Sequence, residues 1–201
     1  MPKLVDHDIR RRQIIEALWR ITVWGGLERA SFRVIAAEAG VSVNLIQHYF
    51  GTKDQLLVAA LEHLGQRAVE RIQARTAALG DSPSERERLD AIFAEFFPDD
   101  EVSRTTMLLF IVFEAAALSH TGLARAEARQ MTAGLIWTIT DLLRSAQAGG
   151  RADAAIDPNR EAVVLASTLT SVSQGVVGGH LPAGDGWAAI TYALDRALPT
   201  G

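Results

Sequence analysis

The stretch Ser31–Lys53, SFRVIAAEAGVSVNLIQHYFGTK, decides the fold of this chain. It predicts two short helices joined by a tight turn, with a further helix beginning behind them. Ser31 and Ser42 each suit a helix N-cap, because a serine hydroxyl accepts a backbone N–H of the first turn. Gly40 suits the turn, because glycine adopts backbone conformations that other residues avoid. This pattern is typical of a helix-turn-helix, whose second helix enters the DNA major groove.

The second of these helices has an apolar side and a polar side. Leu45, Ile46, Tyr49 and Phe50 fall at helical spacing on the apolar side. The residues left on the outer side are Val43, Asn44, Gln47 and His48. Asparagine and glutamine amides can donate and accept along one base edge, adenine especially. An ordinary helical hairpin with a solvated polar side would show the same spacing, so this stretch alone leaves both interpretations open.

The order of residues from about Arg12 to Leu57 resembles the DNA-binding region of the tetracycline-repressor (TetR-type) family. The motif is long and position-specific, and it covers roughly a quarter of the chain. The resemblance implies that the DNA contacts come from Arg33, Ser42, Val43, Asn44, Gln47, His48, Tyr49 and Lys53. Two of these positions depart from the commonest pattern, since many members carry Gly in place of Asn44 and Tyr in place of Gln47. Both positions lie on the second helix, so these departures leave the operator sequence open and do not change the expected fold.

Composition excludes several classes of protein. The 201 residues are 48% hydrophobic and 22% charged, an ordinary balance for a globular chain. The chain has no cysteine, which excludes disulfides, a thiol nucleophile and zinc–thiolate sites. No stretch of about 18 apolar residues is present, so no membrane span is expected. The N-terminus lacks the apolar core of a secretory signal, and a cytoplasmic protein is the expectation.

Charge is distributed unevenly along the chain. The formal net charge is −4, which by itself disfavours binding to a polyanion. Residues 1–53, however, hold eight basic and five acidic side chains, a net charge of +3, and the remainder carries −7. Because the phosphate backbone attracts a local basic patch, the sequence predicts that the N-terminal part faces DNA.

No alternating strand pattern with hairpin turns is present, so we predict an all-α fold of about nine helices. Three belong to a helix-turn-helix DNA-binding domain at 1–53, after a mobile arm at 1–7 and a cap at Asp6 or Asp8. Six more form a helical effector-binding and dimerisation domain at 54–201. Their predicted spans are Thr52–Leu79, a helix capped by Ser82 and Glu85 and ending near Phe97, Val102–Ser119, a helix after Thr121-Gly122 to Ala148, Asp157–Val177 and Trp187–Leu198.

The stretch Glu161–Gly179, EAVVLASTLTSVSQGVVGG, is apolar on more than one side. A helix of this kind must be covered on both sides, and a second subunit would cover the outer one. We expect Val172 and Val176 in that seam, together with the last helix. A central core helix within one chain would have the same composition. The resemblance also implies a homodimer packed through the last two long helices.

The helices between Asp90 and Leu143 hold many large apolar side chains with polar groups between them. Each of these residues, taken singly, is explained equally well as ordinary core. The resemblance implies that together they line a pocket for a small-molecule effector. The candidate lining residues are Phe96, Met107, Phe110, Phe113, Glu114, Trp137 and Asp141.

The sequence offers no catalytic or metal-binding constellation. No P-loop, nucleophile elbow or dinucleotide fingerprint is present, and five histidines are scattered without ligand spacing. We therefore predict no cofactor and no metal, and a ligand-responsive, dimeric repressor of double-stranded operator DNA that is not an enzyme. An effector-independent DNA-binding regulator and an all-α enzyme are the alternatives. A DNA shift assay with added ligands would separate the three.

Overall fold

The computed structural model describes residues 2–119 and 123–199 of the chain. In these ranges it contains nine α-helices, a short 3-10 helix at Leu27–Arg29, and no strand, so the all-α prediction is confirmed. The α-helices are α1 (Pro2–Gly25), α2 (Phe32–Ala39), α3 (Val43–Phe50), α4 (Lys53–Ala77), α5 (Glu85–Phe96), α6 (Glu101–Ser119), α7 (Leu123–Ala148), α8 (Pro158–Val177) and α9 (Ala183–Ala197). The predicted break at Thr121-Gly122 lies outside the described residues.

The first helix begins earlier than predicted. It starts at Pro2, so the mobile arm and the cap at Asp6 or Asp8 are wrong. Proline is well accommodated in the first helical turn, where its missing N–H has no intrahelical partner to lose. No glycine or proline follows until Gly25, so nothing in the sequence interrupts this helix. Its buried residues lie in the second half and are Ile14, Ile15, Ala17, Leu18, Trp19 and Thr22.

The start of α5 follows the later of two overlapping capping signals. Ser84 accepts a hydrogen bond from the Glu87 backbone N–H, and the Glu87 carboxylate accepts one from the Ser84 N–H. The predicted cap at Ser82 with Glu85 is therefore wrong. Glu85 instead accepts hydrogen bonds from Ser145 and Arg151, which are distant in sequence. Because these tertiary contacts engage the Glu85 carboxylate, Glu85 does not take part in a helix cap.

The last helix begins at Ala183 and includes two glycines, whereas the sequence predicted a loop as far as Trp187. Gly186 is buried where α9 crosses α8. A Cβ at Gly186 would lie 2.9 Å from Val176 Cγ2 and 3.1 Å from Val172 Cγ1. The close approach of α8 and α9 therefore requires glycine here, and this packing outweighs the low helix propensity of glycine.

The described helices pack into two compact units. One comprises 1–66 with 109–129, and the other comprises 67–108 with 130–201. The first has a core that includes Leu18, Ile35, Ile46 and Leu56. The second is built on Phe93, Phe97, Ile139, Leu143, Leu165, Leu169, Ile190 and Leu194, all nearly inaccessible to solvent. This division is one of packing, and the boundary between functional domains after residue 53 stays a prediction.

Arg86 ties the end of the chain to α5 in the second unit. Its side chain is 9% exposed, and Nη1 donates to Asp195 Oδ1 at 2.5 Å and to the Leu198 carbonyl at 2.9 Å. Nε donates to Asp90 on the same helix. The buried guanidinium is thereby neutralised, and the last turn of α9 gains a partner for its carbonyl.

Glu85 should make the fold sensitive to acid. Hydrogen bonds from Arg151 and then Ser145 lower the pKa of Glu85 from 4.5 to about 2. A lowered pKa contributes stability that is complete above pH 4.5 and is lost as the pH falls towards 2. We expect Glu85→Gln to lower the unfolding free energy by roughly 1 kcal/mol at pH 6, a value reduced by solvent screening at the half-exposed Arg151.

Urea unfolding of both proteins at several pH values measures this difference. The gap between wild type and Glu85→Gln should shrink steadily from pH 4.5 to pH 2. A gap that stays constant over that interval would show that the Glu85 charge contributes nothing.

Candidate nucleic-acid interface

The predicted helix-turn-helix forms from α2, the turn and α3, as its local signals require. The Ser31 hydroxyl accepts the Val34 N–H at 3.3 Å, and the Ser42 hydroxyl accepts the Leu45 N–H at 3.2 Å. Gly40 ends α2 with φ 65°, a left-handed conformation that favours glycine. The Val41 N–H donates back to the Ala36 carbonyl at 2.9 Å, which closes the turn.

The two sides of α3 differ in burial as the sequence predicted. Ile46 and Phe50 are 0% and 4% exposed, so they fix the helix to the core of the first unit. The solvent-exposed residues of α3 and its cap are Ser42, Asn44, Gln47 and His48, while Val43 and Tyr49 are half-buried. Both amide side chains therefore lie on the surface of a well-anchored helix. This arrangement suits the reading of base edges.

Basic residues of α1 lie against the end of α3. The Arg11 guanidinium lies over the Phe50 ring at 5.0 Å, and the His7 ring meets the Tyr49 ring at 5.3 Å. Arg10, Arg11 and Arg12 are consecutive residues in the first half of α1. The structure brings the Arg11 side chain beside the predicted reading helix.

Arg33 and Lys53 occupy the first turns of α2 and α4, and both are exposed. The start of α4 is fixed by a capping box. The Thr52 hydroxyl accepts the Gln55 N–H at 3.2 Å, and the Gln55 side chain accepts the Thr52 N–H at 3.1 Å. Lys53 thus follows α3 in the chain after only two residues, in a position from which a cation can contact a DNA phosphate.

The candidate effector-site residues fall into three groups. Met107 and Phe113 of α6 are 5% and 1% exposed, and both are core residues. Phe96, Phe110 and Glu114 are half-buried. Trp137 and Asp141, by contrast, lie on the outer side of α7, where the Trp137 side chain is 73% exposed. The single chain therefore does not enclose Trp137 and Asp141, and their assignment to a pocket stays a prediction.

An exposed side of α8 and α9 carries apolar residues. Val163, Val164 and Tyr192 are 48%, 53% and 66% exposed, and Ser167, Ser171 and Gln174 continue the outer side of α8. Val172 and Val176 point the other way, towards Gly186 and the core of their own chain. Their predicted place in a seam between subunits stays a prediction, since both already pack against their own chain. The side of α8 that a partner could cover is the outer one, which carries the exposed Val163 and Val164.

No group of three or more potential metal ligands occurs among the described residues, which include four of the five histidines but not His120. No helix in the described ranges is long and apolar enough to cross a membrane.

Comparison with known proteins agrees with the geometry of the first unit. A model described as bacterial regulatory proteins of the tetR family matches residues 14–60, which contain α2, the turn and α3. A second model, described as the C-terminal part of BetI-type transcriptional repressors, matches residues 85–199, more than half of the chain. The chain belongs to the TetR family. Its helix-turn-helix is thus a DNA-binding domain of TetR type, followed by a BetI-type C-terminal part.

Individual relatives of this TetR-family chain support the same assignment. The regulator PksA of Bacillus subtilis is 38% identical over 117 residues, which cover 58% of this chain and 56% of PksA. The match therefore spans little more than half the length of that relative. A TetR-family regulator from a Rhodococcus species has the same fold, with a TM-score of 0.84, 24% identity, and coverage of 94% of this chain and 98% of its own.

A regulator from Saccharomonospora viridis, solved in complex with choline, also shares the fold of this TetR-family chain. Its TM-score is 0.81 at 20% identity, with 94% of this chain and 96% of that one covered. At this identity the likeness extends to the fold alone.

Proposed function

We propose that this TetR-family chain is a ligand-responsive transcriptional repressor that acts in the cytoplasm as a homodimer on a near-palindromic operator. The observation that carries the proposal is α3, which is anchored by buried Ile46 and Phe50 and presents Asn44 and Gln47 to solvent. The net charge of +3 on residues 1–53 supports docking of this part onto a polyanion.

Within this proposal, α3 lies in the major groove, and its side chains divide into two roles. Asn44 and Gln47 contact base edges, with Val43 and His48 beside them. Ser42 and Tyr49 flank the groove at the two ends of the helix, and Arg33 and Lys53 contact the backbone or an adjacent base. Residues 1–53 would then form the DNA-binding domain, and 54–201 the effector-binding and dimerisation domain.

Dimerisation would use the exposed side of α8 and α9. One reading helix covers only a few base pairs, and two copies at fixed spacing bind far more tightly than one. Adjacent half-sites of a palindrome face the same side of the duplex when they lie about 34–36 Å apart. The exposed Val163, Val164 and Tyr192 supply apolar surface that a second copy would cover.

A small-molecule effector would act by changing the spacing of the two reading helices. The α4 helix is continuous from Lys53, which lies behind the reading helix, to Ala77 in the C-terminal unit. A ligand that prefers one position of α4 would shift the population towards it. A relative of the same fold was solved with choline, which supports ligand binding by this architecture and does not select an effector for this chain.

Selection of DNA from a random-sequence pool tests the proposal without knowledge of the operator. We expect the retained fragments to contain two symmetric half-sites about 10 base pairs apart. The retained fragment then serves in shift assays with candidate small molecules. An effector-independent regulator would retain DNA and respond to none of them, and a chain that retains no sequence above background would contradict DNA recognition.

Lys53→Ala should weaken binding to the retained fragment and flatten its dependence on salt. Each lost phosphate contact lowers the log–log salt slope by about 1, so a dimer should lose about 2. Arg88→Ala is the matched control, because Arg88 is an exposed cation of α5 in the other unit. An unchanged slope for Lys53→Ala, equal to that of Arg88→Ala, would remove Lys53 from the interface. Arg33→Ala should behave like Lys53→Ala if Arg33 contacts a phosphate, and should relax specificity if it contacts a base.

A further inference from the structure

A fully buried carboxylate lies between α5 and the C-terminal half of α4. Glu95 is 0% exposed, and neither of its oxygens has a hydrogen-bond partner among the residues that the structure describes. Arg71 Nε lies 3.0 Å from Glu95 Oε2, and Arg75 Nε lies 3.7 Å from the same oxygen. Arg71 and Arg75 are four residues apart and so project from the same side of α4. We call these three residues the Glu95 clasp.

Stability alone does not explain the Glu95 clasp. A buried carboxylate without hydrogen bonds loses its hydration and recovers only part of the loss from nearby cations. Apolar side chains of similar size commonly stabilise a protein as much as a buried ion pair does, or more. A charged group at this position does, however, demand one arrangement of its partners, because any displacement of α4 would leave the carboxylate buried and uncompensated.

We propose that the Glu95 clasp fixes the position of α4 and thereby makes Glu95 a positioning residue for the reading helix. This inference rests on the proposed function. The clasp holds the C-terminal half of α4 to α5, and only two residues separate the N-terminal end of the same continuous helix from the end of α3. A ligand that opens the clasp releases α4. A ligand that leaves it closed keeps α3 in place.

The clasp also responds to protons. Burial raises the pKa of Glu95 above its ordinary value, Arg71, Arg75 and Arg67 of α4 oppose the rise, and Asp100 before α6 adds to it. A raised pKa means that the protonated form contributes stability below pH 4.5, and that this contribution is lost as the pH rises through the raised pKa. Glu95→Gln, which mimics the protonated form, should therefore keep the melting temperature at pH 7.5 while it opens the clasp.

A distance measurement between the two subunits tests the proposal. Because the chain has no cysteine, Glu28→Cys introduces a unique exposed position for a spin label in the DNA-binding unit. We expect Glu95→Gln to broaden or shift the label-to-label distance distribution and to weaken binding of the retained DNA fragment roughly 2- to 30-fold. Glu85→Gln is the matched control. It removes a carboxylate from the same helix, one that pairs with Arg151 and not with α4, and both readouts should stay at the wild-type value.

A change in acidity and a second variant complete the test. As the pH is lowered through the raised pKa of Glu95, wild-type DNA affinity should fall more than that of Glu95→Gln, since only wild type has this carboxylate to protonate. If Glu95→Gln does not fold, the double variant Arg71→Gln with Arg75→Gln opens the clasp from its partly exposed side and should give the same broadening.

The two possible failures are distinguishable. A wild-type protein that retains no DNA fragment, or gives no distance between subunits, contradicts the proposed function and with it the clasp. A wild type that does both, beside a Glu95→Gln protein with unchanged distances and unchanged DNA affinity, overturns the clasp alone. A Glu95→Gln protein whose only change is a lower melting temperature also overturns it, because that is the result of a purely structural role.

Discussion

Replacing Val164 by Arg is expected to yield a folded monomer that binds the retained operator fragment roughly 10²- to 10⁴-fold more weakly than wild type. Val164 is 53% exposed on the outer side of α8, so the single chain accommodates an arginine without loss of core packing. In a dimer the same guanidinium would be buried without a partner between two apolar helices, which is costly. The loss of affinity is the loss of two-site binding.

Val102→Arg is the matched control, since Val102 is also 53% exposed but lies in the first turn of α6. It should remain dimeric and bind DNA as wild type does. Light scattering reports the oligomeric state, circular dichroism reports the fold, and a shift assay reports affinity. A Val164→Arg protein that stays dimeric and binds tightly would show that the partner does not dock on this side of α8.

The double variant Asn44→Ala with Gln47→Ala should lose most of its preference for the retained fragment over random DNA. Each bidentate contact between an amide and a base is worth about 1–3 kcal/mol, so each substitution should cost roughly 5- to 150-fold in specific binding. Binding to random DNA depends on the phosphate contacts and should change little. Neither side chain contributes to the buried core, so the fold is preserved.

Gln66→Ala removes an amide of the same kind from an exposed position on α4 and serves as the control. Competition assays with the retained fragment and random DNA give the specificity ratio of each variant. Equal losses on both DNAs in the double variant would mean that Asn44 and Gln47 do not read sequence. Single variants then assign the effect to one residue or to both.

The reading motif could be predicted from sequence because its determinants are local. A serine cap, a left-handed glycine and the helical spacing of Ile46 and Phe50 all act within a few residues. The same holds for the capping box of Thr52 and Gln55, and for Asp157, whose carboxylate accepts the Asn159 and Arg160 N–H groups at the start of α8. None of these contacts depends on another part of the chain.

The errors occurred where a distant contact overrides a local signal. Ser82 and Ser84 head overlapping capping boxes, and only the pairing of Glu85 with Arg151 selects the later one. The glycines of 183–186 indicate a loop until Gly186 is seen against Val172 and Val176. The same contact places these two valines inside their own chain, which periodicity along an all-round apolar helix cannot reveal.

The sequence gives little indication of the Glu95 clasp. Arg67, Arg71 and Arg75 recur at intervals of four, a spacing that is equally typical of a solvated helix surface. Glu95 itself lies among apolar residues, but nothing in its neighbourhood tells a buried carboxylate from an exposed one. The contact between α4 and α5 is needed to show that Glu95 lies beside Arg71 and Arg75.

Because α4 is long, a small change in its direction at one end produces a large displacement at the other end. Between Arg71 and Lys53 the helix rises about 27 Å, at 1.5 Å per residue. A tilt of about 5° at the arginine end therefore swings the lysine end through roughly 2.4 Å. A small change in the direction of α4 at its arginine end therefore displaces Lys53 by a distance close to the length of a hydrogen bond. In the proposed mechanism, the fit of the reading helix in the groove therefore depends on how rigidly the arginine end of α4 is held. Glu95, the only carboxylate among the described residues that is wholly shielded from solvent, lies beside that end.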